Sequence, residues 1–202
     1  MPKIVDPDER RQLLAEAAWQ VIRRDGLEHA SVRNVAREAG LSSGSLRHMF
    51  GTQAELLVFA MNHVVDRIES RLGSLEETGD PRRTAERFLI ELLPLDEERQ
   101  EENIVWLAFT ARALVDPELR ACAEKSYDTL RAGCRRWVTA IAGDHVDVDL
   151  EADRLHAVLD GLAVHAATRP EIATPDRIRA ILATHLNTLT GVNSRRESDP
   201  AG

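Results

Sequence analysis

Aromatic residues are scarce in this 202-residue chain, at 4%, with one tyrosine and three tryptophans. No apolar run reaches about 18 residues, so no segment is long enough to span a membrane as a helix. The opening stretch MPKIVDPDERR lacks the apolar core of a signal peptide, and a cytoplasmic protein is expected. There are only two cysteines, Cys122 and Cys134, and both fall in one predicted helix. At about 1.5 Å rise per residue they stand roughly 18 Å apart, too far for a disulfide between them. Reduced thiols are expected, since nothing nearby supports a redox sensor. Sustained period-two alternation is missing, so strand signals are nearly absent. There is no Glu-x-x-His pair, no HExxH and no glycine-rich phosphate loop, the marks of catalysis in or near a helical bundle. No catalytic residue, metal ligand or cofactor is expected. Internal repeats and low-complexity tracts are also lacking.

Hydrophobic residues make up 43% of the chain, which is too many for global disorder and enough to bury a real core. The net charge is −8, which argues against nucleic acid if read globally. Its distribution says otherwise. Residues 1–50 carry 8 Lys/Arg against 7 Asp/Glu, and within residues 10–50 the balance is 7 against 4. A DNA-binding surface needs a local basic face rather than a basic protein. An acidic remainder would repel a duplex elsewhere and so help to orient the approach.

Helix signals are dense. Asp6-Pro7-Asp8-Glu9 opens the first helix, with Asp6 as N-cap, Pro7 at the first helical position and Glu9 as reciprocal partner. Leu13, Leu14, Ala17, Ala18, Val21 and Ile22 form one apolar face, and Gly26 ends the helix. Ser31 caps a second, short helix that ends at Gly40. Ser42 opens a third, running to about Met49. Thr52 and Glu55 form a capping box for a fourth over 53–72. Residues 73–80 are a break, with Gly79 and Pro81 as punctuation. Further helices are predicted over 82–93, 96–115, 117–142, 150–168 and 175–190, with 143–148 as a loop. The tail SRRESDPAG has no large apolar residue, and disorder is expected there. The fold class is all-α with about nine helices. An N-terminal unit over 1–52, a larger bundle over 53–192 and a tail over 193–202 are expected.

The most informative stretch is 31–50, SVRNVAREAGLSSGSLRHMF. Two short helices meet at a tight turn, where Gly40 supplies a position that calls for positive φ. Val35, Ala39, Leu41 and Leu46 provide the apolar contacts between them, and Ala36 is small where they approach. That is the spacing of a helix-turn-helix, although an ordinary helical hairpin would satisfy the same periodicity. In the former case the helix from Ser43 enters the major groove. Ser43, Gly44 and Ser45 are small enough to let backbone and hydroxyls approach phosphates and base edges. Arg47 and His48 add longer donors. Arg47 could bond two guanine acceptors or simply pair with a phosphate.

Across residues 9–57 the sequence resembles the TetR family of bacterial regulators. The resemblance rests on Gly26, on the Ser31–Ser42 segment SVRNVAREAGLS, on Gly44-Ser45-Leu46-Arg47-His48-Met49-Phe50, and on Ala54-Glu55-Leu56-Leu57. It implies an all-α homodimer with a three-helix DNA-binding unit and a C-terminal bundle that binds a small-molecule effector. It places Ser31 and Arg33 at the backbone or groove edge. Ser42, Ser43, Gly44, Ser45, Arg47 and His48 come at and along the recognition helix, and Thr52 and Gln53 at phosphate. Two departures stand out. The family usually has an aromatic where Arg47 and Met49 stand here, and often lysine where Gln53 stands. The loss of one phosphate charge at Gln53 is offset by the gain at Arg47.

Farther along, Ala113-Leu114-Val115-Asp116-Pro117-Glu118-Leu119-Arg120 and Leu159-Asp160-Gly161-Leu162-Ala163 are similar to the BetI-like subgroup. Trp106, Phe109, Tyr127 and Trp137 lie on two middle helices, as core residues or as the lining of an effector pocket. His156 and Asp160 are one turn apart and are added to that candidate lining, although a polar or interface pair is the plainer reading. Leu155, Val158, Leu159 and Leu162, then Ile178, Ile181, Leu182, Leu186 and Leu189, make apolar stripes. In the family such helices form a dimer interface. Dimerisation also suits a pseudo-palindromic operator, whose major grooves recur about every 34 Å. The expected function is a transcriptional regulator, a repressor released from its operator by a small molecule. An activator or ligand-independent regulator of the same fold is the alternative.

Overall fold

The structure, a computed structural model, describes residues 7–191. Among the described residues it holds nine α-helices and no strand. They are α1 Pro7–Asp25, α2 Val32–Glu38, α3 Ser43–Arg47, α4 Gln53–Gly73, α5 Pro81–Ile90, α6 Glu97–Ala113, α7 Pro117–Ala142, α8 Val148–Thr168 and α9 Pro175–Leu189. Single 3₁₀ turns at Leu27–His29 and Gly143–His145 complete them. The expected Asp6 cap and the tail over 193–202 lie outside the described residues.

Helix starts follow side-chain chemistry closely. Ser31, Ser42, Asp80, Asp147 and Thr174 each accept a backbone N–H from the first turn of the helix they precede. Each removes an orphan donor, worth about 1 kcal/mol. Helix ends departed further from expectation. Helix α5 stops at Ile90 rather than 93, because Pro94 disfavours helical geometry at Leu93. The chain turns instead through short bonds from Glu91 N to Phe88 O and from Leu93 N to Ile90 O. Helix α6 ends at Ala113, two residues early, and α8 begins at Val148, two residues ahead of the predicted start.

Packing divides the chain into two compact units. One comprises residues up to Glu69 together with Ile104–Glu124; the other comprises Ser70–Asn103 and residues from Lys125 onward. Helices α4, α6 and α7 contribute residues to both. The first unit has a continuous core that includes Leu14, Ala18, Val21 and Ile22 of α1, Val35 and Ala36 of α2, Leu46 of α3, Leu56 and Val64 of α4, and Phe109 of α6. The predicted face of α1 is thus buried except for Leu13, which is 45% exposed. Trp19, which the apolar pattern did not include, joins that core and lies beneath the Arg67 guanidinium at 4.1 Å from the ring centroid. That arrangement is a cation–π contact.

The second unit has its own core. Leu89 and Leu93, Trp137 and Val138, Leu155, Leu159 and Leu162, and Ile178, Leu182 and Leu186 fill it. Most of the apolar stripe on α8 and α9 is therefore consumed within one chain. Val158 is half-buried and Ile181 remains exposed. In the same unit Arg71 grips Glu102 through two hydrogen bonds of 2.8 and 2.6 Å. Glu102 is buried, so the pair compensates a charge that would otherwise be costly.

Candidate nucleic-acid interface

Helices α2 and α3 are joined by a turn whose chemistry is visible in each bond. Helix α2 stops at Glu38, and Ala39 is its C-cap. Gly40 follows at φ +67°, a left-handed conformation that costs any Cβ-bearing residue. Gly40 N–H then donates to Arg37 O at 3.2 Å, and Leu41 N–H reaches back to Ala36 O at 2.8 Å. This is the Schellman arrangement, and it satisfies two carbonyls that the helix end leaves open. Leu41 packs against the same core as Ala36.

Helix α3 is shorter than expected, Ser43–Arg47 rather than a run to Met49. Both Met49 and Phe50 N–H donate to Leu46 O at 2.9 Å, closing the helix early. Phe50 is then drawn into the core, with its ring 5.1 Å from that of Phe59. Leu46 is fully buried and pins α3 from below. The opposite side of α3 is open. Gly44, Arg47 and His48 are exposed, Ser43 and Ser45 are half-buried, and a Cβ added at Gly44 would meet nothing within 4 Å.

The flanks carry the remaining expected contacts. Ser31 is half-buried and occupied as the cap of α2, accepting from Asn34 N at 3.3 Å. Arg33 is exposed, and neither it nor Arg47 enters an ion pair among the described residues. Arg24 by contrast is neutralised by Asp25 and Glu38, each at 3.0 Å. Ser42 is exposed, but its hydroxyl oxygen is engaged by Ser45 N–H at 3.2 Å.

The start of α4 has the predicted capping box. Glu55 N–H donates to Thr52 Oγ1 at 3.1 Å, while Gly51 and Thr52 N–H donate to Glu55 Oε2 at 2.6 and 3.4 Å. The Glu55 carboxylate thereby occupies two amides that a phosphate would otherwise use. The Thr52 hydroxyl proton remains available. Gln53 spends one amide N–H on Ala30 O at 3.2 Å. Sequence reasoning also missed Arg10. From α1 its Nη2 donates to Ser45 Oγ on α3. The pattern around Arg10 holds no signal for this, because the pairing spans 35 positions.

The residues proposed for an effector separate. Trp106 and Phe109 belong to the first unit, where Phe109 is a core residue and Trp106 packs beside it. Tyr127, Trp137, His156 and Asp160 belong to the second. The Tyr127 ring lies 4.6 Å from that of His156, and His156 Nε2 lies 3.5 Å from Asp160 Oδ2. His156 is buried, with no hydrogen-bond partner at Nδ1. Burial pushes the Asp160 carboxyl above its ordinary value, against the pull of His156. Trp137 packs on Phe88, ring centroids 5.2 Å apart. No disulfide joins Cys122 and Cys134, and burial pushes the Cys134 thiol up to about 12. Among the described residues no group of three His, Cys, Asp or Glu is placed to hold a metal ion, and no helix is long and apolar enough to cross a membrane.

Comparison with known proteins agrees with this architecture. Residues 14–58 match the family model described as bacterial regulatory proteins, tetR family. Residues 81–191 match that of the BetI-type transcriptional repressor, C-terminal. The chain is 38% identical over 201 residues to the HTH-type transcriptional regulator PksA of Bacillus subtilis, covering 96% of this chain and 97% of that one. The crystal structure of a transcriptional regulator from Rhodococcus sp. Rha1 superposes with a TM-score of 0.81 at 35% identity, over 90% and 96% of the two chains. The multidrug binding protein EbrR complexed with imidazole superposes with a TM-score of 0.66 at 26% identity, over 92% and 93%. These relatives are regulators or ligand-binding proteins rather than enzymes, and this chain belongs to the TetR family of bacterial transcriptional regulators, with a DNA-binding helix-turn-helix followed by a BetI-type C-terminal region.

Proposed function

We propose that the chain is a dimeric, cytoplasmic repressor that reads a pseudo-palindromic operator through α3 and leaves it when a small molecule binds the C-terminal region. The observation that carries this reading is the open face of α3. A short helix is pinned by buried Leu46 and Phe50 while Gly44, Arg47 and His48 face outward. Arg33 and Arg47 supply unneutralised charge beside it. Residues 1–52 act as the reader, with Ser31, Arg33, Ser42, Ser43, Gly44, Ser45, Arg47, His48, Thr52 and Gln53 facing the duplex. Residues 53–192 serve dimerisation and ligand binding.

The dimer face is the side of α8 and α9 that the core leaves uncovered. Ala157, Gly161, Val164 and Thr168 recur at helical spacing along α8, as do Ala180, Ile181, Thr184 and Thr188 along α9. None of these is charged, and most are small enough for close helix approach. For the effector, Tyr127, Asp160 and the unpartnered Nδ1 of His156 offer an aromatic face beside polar groups, the make-up of a ligand site. The complex of EbrR with imidazole supports a small organic ligand for this architecture. Release requires the effector to favour a dimer whose readers are wrongly spaced, a coupling of about 1–3 kcal/mol.

Selection of bound duplexes from a randomised DNA library tests the reading. Enrichment of one sequence with two-fold symmetry is the expected result. Enrichment of none, under salt conditions that suppress non-specific binding, would overturn it.

A further inference from the structure

Arg10 stands on α1, outside the paired helices, yet its guanidinium reaches the middle of the recognition helix and donates from Nη2 to Ser45 Oγ. The side chain is half-buried, and its Nε is buried without a partner. Such a placement leaves an N–H uncompensated, which costs free energy. Ser45 is held from a second side, because its backbone N–H donates to Ser42 Oγ at 3.2 Å. Among the described residues its hydroxyl proton has no acceptor.

A serine hydroxyl carries one donor and two lone pairs, and its proton rotates to suit its surroundings. Arginine has only donors. With Arg10 on one lone pair, the Ser45 proton must turn away from the guanidinium. A cationic donor also polarises the hydroxyl and strengthens it as a donor in turn.

We infer that Arg10 is a positioning residue for base recognition: it fixes Ser45 as a hydrogen-bond donor toward the major groove. This rests on the placement of α3 in that groove. The base read by Ser45 then presents an acceptor edge, purine N7, guanine O6 or thymine O4, and is favoured over the amino edges of cytosine N4 and adenine N6, which would have to share the oxygen with Arg10 through its one remaining lone pair. Without Arg10 the hydroxyl rotates freely and accepts from an amino group as readily as it donates.

The test is duplex selection from a randomised library by the full chain, comparing wild type with Arg10→Ala, Ser45→Ala and the double variant. The expected result is that Arg10→Ala relaxes preference at the same base pairs as Ser45→Ala, and that the double variant relaxes nothing more. Affinity of Arg10→Ala for the wild-type sequence should fall roughly fivefold, as for one lost hydrogen bond. Binding to scrambled DNA should change less. Arg10→Met keeps most of the apolar stem but has no donor to place on the Ser45 hydroxyl, so it should show the same relaxation. It decides the matter if the alanine variant does not fold. The inference is overturned if Arg10 variants leave every base preference intact, or if they weaken all sequences equally with a shallower salt dependence, the behaviour of a phosphate contact. It is overturned also if Ser45→Ala relaxes no base pair. A wild type that selects no sequence at all overturns the groove placement itself.

Discussion

Arg47 extends from α3 without an ion pair among the described residues, so its charge is unspent until DNA arrives. Replacing it by alanine should weaken operator binding by roughly 1–3 kcal/mol. Titrations at fixed salt measure this, and an unchanged affinity would make Arg47 an ordinary surface residue. Two groups in the second unit, buried His185 and half-buried Asp160, give stability opposite dependences on pH. Burial, with help from the charge of Arg154 and against the pull of Glu151, holds the His185 imidazole below its ordinary value of 6.5. The unfolded chain therefore takes up this proton first. The stability contributed by neutral His185 is complete above about pH 6.5 and is lost as pH falls through the lower folded value. His185→Leu should flatten that acid limb in melting curves. The Asp160 carboxyl is shifted the other way, upward by burial. Its contribution is present below the ordinary value of 3.8 and is lost as pH rises through the folded value. Asp160→Asn should therefore raise the melting temperature at pH 7, with the advantage fading toward pH 4. A constant advantage across that range would show that packing, not ionisation, is responsible.

Among the elements, the α2–α3 turn is the most exacting. Gly40 has φ +67° and open space where a Cβ would project. The cost of Gly40→Ala is then backbone strain alone, about 1–2 kcal/mol. Gly40→Asn should cost less, because asparagine tolerates the left-handed region. Equal losses for both in chemical denaturation would point to a steric cause that the open space argues against. Inside the second unit the tie between α4 and α6 is a charge pair. Glu102→Ala leaves Arg71 facing Glu91 and Glu98 alone, at 3.5 and 3.9 Å. Those contacts soften the loss, which should be about 2–4 kcal/mol against the 3–5 typical of a fully buried pair. The start of α4 teaches a different point. Its capping box was legible from Thr52 and Glu55, but that very carboxylate fills the amides at Gly51 and Thr52. A phosphate there has the Thr52 hydroxyl and the amides deeper in the turn, not the bare helix end.

At the scale of the molecule, the oligomeric state is the sharpest question. Ala157, Gly161, Val164 and Thr168 of α8 and Ala180, Ile181, Thr184 and Thr188 of α9 form uncharged stretches made largely of small residues, with Arg154 and Arg177 one turn before them. A second copy would cover them, and Ala180→Arg should break the dimer. Light scattering at micromolar concentration should give twice the 22.5 kDa chain mass for wild type and a single mass for the variant. A monomeric wild type would remove the proposed dimer face and the symmetric operator with it.

What the sequence by itself determined are the features that depend on neighbours along the chain. Serine, aspartate and threonine caps, the glycine turn at Gly40 and the spacing of apolar residues are local chemistry, which is why the all-α class and the helix-turn-helix were legible. Helix ends were less so, since α3 closes where burial of Phe50 pulls the chain inward rather than where a propensity changes. Only tertiary structure decided which stripe residues were spent on the core, which separated Leu182 and Leu186 from Ile181. It also decided that Ile104–Glu124, with Phe109, packs with the first unit, and that Arg10 meets Ser45. These are contacts between residues many positions apart. Their partners are selected by packing in space, a quantity that periodicity along one chain does not contain.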